Sequence, residues 1–230
     1  NMAFLLSPKP GALTAAIFRA PRNLFTTKVD KASPSTSSAI INNGFPDCAT
    51  GSKTGSNSFK EDTFLSYKRM YGFSNSTFIG YDYHEKSIEQ AKERAKTAGV
   101  KNVSFHVATA KDFPGNDFDF ICFFDCLHDM GDPAGACAHV KSALKPDGTC
   151  MIVEPFANDS LEENLNPVGR AFYAFSTMLC TPCSLNQEVG LALGAQAGEK
   201  RLKDVINLGG FSQFKRATET PFNLIFEARP

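Results

Sequence analysis

The sequence predicts an α/β fold built on a doubly wound, mostly parallel sheet that ends in an antiparallel hairpin. Three observations carry this. From Thr77 onward, strand-like apolar runs alternate with helical ones, the order that parallel strands joined by helical crossovers produce. The run FDFICFF from Phe118 is apolar at nearly every position, as befits a strand covered on both faces by helices. The chain closes with GGFSQFKRAT and PFNLIFEARP, joined by too few residues for a parallel crossover, so these two segments should pair antiparallel.

Each element has local support. FKEDTFLSYKRMYG, starting at Phe59, reads as a helix, and Thr77 to Tyr81 as a buried strand. In the next helix Ser87 and Gln90 have capping-box spacing, and Gly99 is a left-handed stop. Ile88, Ala91 and Ala95 form its apolar stripe, with Glu89/Lys92 and Glu93/Lys96 on the wet side. VSFHVA from Val103 is a strand. Asp132 and Pro133 are the cap and first-turn proline of the helix PAGACAHVKSALK, which the turn PDG closes before the strand TCMIVE.

Composition bounds the function. The 230 residues carry 24 basic and 24 acidic side chains, so no net charge directs the chain toward nucleic acid or an acidic surface. No apolar stretch approaches the roughly 20 residues that cross a bilayer. Seven cysteines, several inside apolar segments, favour a reducing compartment, and the cytoplasm is the expected location. Residues 1–58 differ in kind from the rest. From Lys31 to Ser58 Ser, Thr, Asn, Gly and Pro dominate, a composition that cannot offset the entropy of ordering, so this span is expected to be a low-complexity or disordered leader. Arg19, Arg22 and Lys28 with no acid before Asp30 make a mitochondrial transit peptide the alternative.

From about Ser76 to Pro230 the order of motifs resembles the second half of a class I S-adenosylmethionine-dependent methyltransferase. FIGYDYHEKSIEQAKERA, VSFHVATAKDFP and FDFICFFDCLHDMGDPAGACAHVKSALKPDGTCMIVEP, followed by a terminal hairpin, carry the likeness. The subgroup it looks most like often has a winged-helix, regulator-like domain ahead of the catalytic one. The resemblance implies a Rossmann-like domain over residues 59–230, S-adenosyl-L-methionine as cofactor, and a small-molecule methyl acceptor. It implies no nucleic acid or membrane partner, and leaves a homodimer open.

The likeness assigns residues. Asp82, at the end of its strand, would accept the ribose hydroxyls of the cofactor, with Tyr83 and His84 beside the base. At the next strand end the family often has an acid where this chain has Thr109, followed by Ala110 and Lys111, whose backbone could read the adenine edge. Phe124, Asp125 and Cys126 would line the methionine end. His128 is the general base if the acceptor is a hydroxyl or amine. Residues 156–198 would cap the acceptor, with Phe172, Tyr173 and Phe175 in the pocket wall and Met178 near them. Cys180 and Cys183 form a lone C-T-P-C, short of the four ligands of a structural zinc site, so no metal is expected.

One part of the pattern is missing. A glycine-rich turn should follow the central strand and lie near Phe59 to Thr63, where the sequence is FKEDT. The expectation is that the central strand and its loop are missing from this chain, which would impair cofactor binding; the alternative is a short strand at Ala39 to Ile41 with a displaced loop at Gly51 and Gly55, the nearest glycines. Two further readings therefore stand beside an active methyltransferase. One is a catalytically inactive regulator or scaffold of the same fold. The other is an NAD-dependent oxidoreductase, which also ends its second strand with an acid.

Overall fold

The computed structural model describes residues 2–5 and 76–230. The helix expected at Phe59, the strand expected at Ala39 to Ile41 and the glycines Gly51 and Gly55 lie outside these residues. Seven strands are described: β1 (Met2–Leu5), β2 (Phe78–Asp82), β3 (Val103–Val107), β4 (Phe118–Phe124), β5 (Leu144–Pro155), β6 (Gln213–Glu219) and β7 (Asn223–Arg229). The helices are α1 (Glu85–Thr97), α2 (Pro133–Ala143), α3 (Pro167–Phe175), α4 (Thr181–Leu185) and α5 (Gly198–Leu208). A π-helical turn, Ser176–Cys180, joins α3 to α4.

The parallel pairs β2/β3 and β4/β5 and the antiparallel pairs β5/β7 and β6/β7 give the expected doubly wound sheet with its terminal hairpin. Four residues within the span read as a leader have a definite place in it. Met2–Leu5 pairs in parallel with β4, Met2 opposite Phe120 and Leu5 opposite Phe123, and lies beside β2. The order across the molecule is therefore β3-β2-β1-β4-β5-β7-β6. Strand order reverses at β1/β4, and ligands of such sheets sit beyond the carboxyl ends of the strands at that reversal.

Local chemistry fixes the elements around this edge. The cap of α1 lies three residues before the expected one: its N-cap is His84, and Ser87 is buried in the first turn, its Oγ 2.9 Å from His84 Nδ1. The helix starts early because Oδ1 of Asp82 accepts the His84 amide at 2.8 Å, turning the chain directly out of β2. Its other end follows the sequence: Gly99 at φ 69° donates to Lys96 O and Val100 donates to Ala95 O, a paired left-handed stop. Helix α2 starts as expected, Asp132 Oδ1 accepting from the Gly135 amide at 2.8 Å with Pro133 in the first turn.

The core is continuous. Ile88, Ala91 and Ala95 of α1 meet Phe78, Tyr81 and Phe105, while β4 and β5 bury Ile121, Cys122, Phe123, Cys150 and Ile152 between α-helical layers. Phe113, below the expected adenine loop, is packing: it stacks on Tyr81 at 5.1 Å and meets His139 edge-on at 4.4 Å. No helix among the described residues is long and apolar enough to cross a membrane.

Candidate active site

The carboxyl ends of β2, β4 and β5 deliver the buried acids Asp82 and Glu154, with His128 and Asp129 just beyond β4, to one edge of the apolar core. Asp82, the last residue of β2, is 2% exposed. Its Oδ1 holds the His84 amide, while Oδ2 is buried and has no hydrogen-bond partner. Burial pushes its carboxyl up to about 6, against the opposing pull of the His84 amide. A buried carboxylate oxygen left without a donor costs free energy unless a ligand supplies one. A ribose diol supplies two hydroxyl donors, so the residue present fits an adenosine cofactor on the chain's own geometry.

The neighbours expected with Asp82 are placed unevenly. Tyr83 is 50% exposed at the mouth of this edge and His84 is half-buried at the start of α1. Thr109 lies in the exposed loop after β3, where its hydroxyl donates to Asp112 Oδ1 at 2.7 Å and its amide donates to the same oxygen at 2.9 Å. Ala110 is half-buried beside it. Lys111 reaches across to Asp132 at 2.7 Å and Glu188 at 3.3 Å, tying this loop to α2 and to the capping segment.

The stretch after β4 is the densest part. Phe124 and Asp125 are half-buried, and Cys126 is fully buried. Asp125 has φ 52°, a left-handed conformation uncommon for a residue with a Cβ, and its amide is anchored on Val153 O at 2.7 Å. The chain then makes a single tight turn, Leu127–Asp129. That turn buries His128 against Glu154, the acid near the end of β5: Nδ1 lies 2.5 Å from Oε2, and Oε1 of the same carboxylate accepts the Leu127 amide at 2.9 Å. Nε2, on the other side of the ring, is 3.2 Å from Asp129 Oδ1. Burial pulls the imidazole down, but the carboxylates of Glu154 and Asp129 outweigh it and hold the ring well above its usual value.

The segment between β5 and the hairpin lies over this turn. Ser184 Oγ donates to Met130 O at 2.7 Å, Gln187 Nε2 donates to Asp129 O at 2.9 Å, and Gln187 Oε1 accepts the Gly131 amide at 3.1 Å. Phe172, Tyr173 and Phe175 are half-buried on α3, and Met178 is 66% exposed. Cys180, not Cys183, faces the centre: it is fully buried, with its sulfur near His128 and Asp129.

Glu154 and Asp129 are not among the residues the sequence points to, and Cys180 enters there only beside Cys183, not beside His128. Glu154 carried a signal, since a carboxylate near the end of an apolar strand parallel to β4 falls on the ligand edge. Cys180 carried none, because 52 positions separate it from His128.

Comparison with known proteins agrees with the architecture. A family model described as a methyltransferase domain matches residues 57–210, well over half of the chain. An uncharacterised methyltransferase of Bacillus subtilis, YcgJ, is 33% identical over 96 residues, which make up 40% of this chain and 38% of that protein. The match spans well under half of that relative's length. Among solved structures, an O-methyltransferase homologue from Nostoc punctiforme superposes with a TM-score of 0.54 at 19% identity, covering 72% of this chain and 48% of its own. Human N-acetylserotonin methyltransferase, solved with S-adenosylmethionine, gives 0.53 at 15% identity over 74% of this chain and 44% of its own. At such identities the likeness is one of fold, and it is the fold expected. The match across residues 57–210 decides the lineage against a nicotinamide-dependent oxidoreductase: the chain belongs to the methyltransferase-domain family.

Proposed function

We propose that this chain transfers a methyl group from S-adenosyl-L-methionine to a small-molecule acceptor. The observation that carries the proposal is Asp82 Oδ2, a buried carboxylate oxygen without a partner at the end of the strand next to the sheet's reversal. The cofactor, when bound, supplies an electrophilic methyl carbon on a sulfonium. Asp82 holds the ribose, with Tyr83 and His84 beside the base and the backbone of Thr109, Ala110 and Lys111 at its edge. Phe124, Asp125 and Cys126 hold the methionine end. The placement of β1 beside β2 supports the proposal, because it puts a strand where the central strand of such a sheet belongs.

The remaining chemistry is alignment and proton removal. In-line displacement gains most from holding the acceptor atom opposite the leaving sulfur and from excluding water. Residues 156–198 form the cover, with Phe172, Tyr173 and Phe175 as the apolar wall for the acceptor. His128 takes the acceptor's proton at Nε2, while Glu154 occupies Nδ1 and fixes the tautomer that leaves Nε2 with its lone pair. Against the pull of burial, the carboxylates of Glu154 and Asp129 favour the charged ring, so the neutral form that accepts the proton is the minor one near neutral pH and transfer should speed up as pH rises.

The test is calorimetric titration with S-adenosylhomocysteine of the full chain and of Asp82→Asn. Micromolar binding is expected, weakened at least tenfold in the variant. A cooperatively folded chain that takes up no S-adenosylhomocysteine overturns the proposal and leaves a methyltransferase fold serving as a non-catalytic scaffold.

A further inference from the structure

We propose that His128 Nε2, Asp129 Oδ1 and Cys180 Sγ form a binding site for a borderline-soft divalent cation of the Zn2+ type. The three donor atoms lie within 4.8 Å of one another, and all three residues are buried. Nitrogen, oxygen and sulfur donors together suit zinc or its cobalt surrogate far better than magnesium or calcium, which take oxygen alone. The separation of 3.2 Å between His128 Nε2 and Asp129 Oδ1 is close to the edge of about 3.3 Å that two ligands span on a tetrahedral zinc.

Two independent observations point into the same space. Nε2 of His128 makes no hydrogen bond, although the ring is 1% exposed. At 3.2 Å its approach to Asp129 lacks hydrogen-bond geometry, as is natural for two atoms aimed at a common third. On the opposite side of the ring, Nδ1 meets Glu154 at 2.5 Å. A carboxylate on the far nitrogen is the recurrent support of a metal-bound histidine, where it fixes the tautomer and raises the ligand's basicity.

The backbone explains how Cys180 arrives there. The wider π-helical turn, Ser176–Cys180, shifts the side chains that follow it relative to α3. It is pinned by Ser176 Oγ, which accepts the Ala195 amide at 3.1 Å and leaves no room for a side chain at Gly194, whose Cβ would lie 2.3 Å from that oxygen. Three protein donors leave the fourth position of a tetrahedral ion for water. Binding releases the Cys180 thiol proton, and the Nε2 proton of the charged ring, to solvent. Resting on the role proposed above for His128, the ion is an inhibitor, because it takes the lone pair that would accept the proton.

The experiment is titration of the chelator-stripped full chain with Co2+. One equivalent is expected, with thiolate-to-cobalt charge-transfer absorption in the near ultraviolet that Zn2+ abolishes. Cys183→Ser should keep the absorption and Cys180→Ser should lose it. Asp129→Asn should weaken cobalt binding at least tenfold, which provides a second reading if Cys180→Ser does not fold. Absorption that persists in a folded Cys180→Ser, cobalt affinity unchanged in Asp129→Asn, or a cooperatively folded wild-type chain that takes up no cobalt overturns the site. Titration of the stripped chain with S-adenosylhomocysteine reads the methyltransferase proposal separately: cobalt uptake without it sinks the reaction and keeps the site, and the converse sinks only the site.

Discussion

Asp82 and His84 are bound to each other by a single hydrogen bond, the His84 amide donating to Oδ1 at 2.8 Å, and this one contact both starts α1 and leaves Oδ2 buried without a donor. The consequence is a pH dependence with two opposite signs. In the ligand-free chain burial raises the carboxyl from 3.8 to about 6, so between these values the folded state binds more protons than the unfolded one. Its contribution is fully present below the unfolded value and is lost as pH rises through the folded value, on the order of 2–3 kcal/mol in all. Asp82→Asn should therefore be less destabilising, or stabilising, at pH 7.5 than at pH 4.5 relative to wild type, as urea unfolding at the two values would show. Ligand binding runs the other way. A ribose diol donates to the ionised carboxylate, so affinity for S-adenosylhomocysteine should be flat above pH 7 and weaken by up to tenfold per unit below about 6. A profile that is level from pH 5 to 8 would remove Asp82 from the site.

The bond between His128 and Glu154 predicts a tautomer effect. In Glu154→Gln the amide oxygen can still accept from Leu127, so the amide nitrogen is left facing Nδ1 and forces that atom to act as an acceptor. The ring proton then moves to Nε2, which loses its lone pair. Expected results are kcat lower by about 10²–10⁴-fold and S-adenosylhomocysteine affinity within twofold of wild type. The change should also cost stability, roughly 3–5 kcal/mol if the buried pair is worth what such pairs usually are. A variant with wild-type kcat would show that transfer proceeds by alignment alone and that His128 moves no proton.

How much of this was legible in the sequence depends on the range of the interactions involved. The hairpin, Gly99 as a stop and Asp132 as a cap are local or periodic features and appear as read, whereas the PDG turn expected before TCMIVE is absorbed into β5, which begins at Leu144 opposite Phe118 and shifts register before Thr149. Asp82 was legible because an acid at a strand end has a place in the topology. The capping box at Ser87 was misplaced because the Asp82 side chain captures the amide of His84 and begins the helix earlier, a contact that spacing alone cannot rank above the alternative. The strand beside β4, expected to be missing or replaced by Ala39 to Ile41, is formed by Met2–Leu5, whose four residues show no pattern until a neighbouring strand gives them a register. Cys180 was paired with Cys183 by proximity in sequence, whereas the π-helical turn sends only Cys180 toward His128.

At the start of α2, Asp132 accepts from the Gly135 amide and also holds Lys111 from the loop after β3 at 2.7 Å. Both contacts hold the carboxyl below the usual range, the Lys111 bond more strongly. Asp132→Ala removes the cap and should cost about 1 kcal/mol, or about 2–4 °C in Tm for a chain of this size. Asp132→Asn keeps the cap and loses the charge, so it should recover most of that loss. If the two variants melt together, the exposed ion pair and not the cap is what stabilises this helix start, contrary to the small value expected of such pairs.

The contact of α5 with α2 depends on an absent side chain. Gly209 ends α5 with φ −69°, an ordinary helical value, so nothing in its backbone requires glycine. Its packing does: a Cβ there would lie 2.3 Å from Cys137 Cβ and 3.1 Å from Ala134 O, both on α2. Neither atom is the free end of a flexible side chain, so alanine must push the helices apart. The gain of about 1 kcal/mol that alanine would bring in an open helix is then outweighed by overpacking of about 1–3 kcal/mol or more. Gly209→Ala should lower the urea midpoint with an unchanged m-value, and Cys137→Ala should not rescue it, because Cβ and the Ala134 carbonyl remain. Cys137→Gly, which removes the atom at 2.3 Å, should recover part of the loss in the double variant despite its own helix penalty. Equal stability of Gly209→Ala and wild type would mean that α5 can shift on the sheet without cost, and the close packing of the two helices would then have no energetic weight.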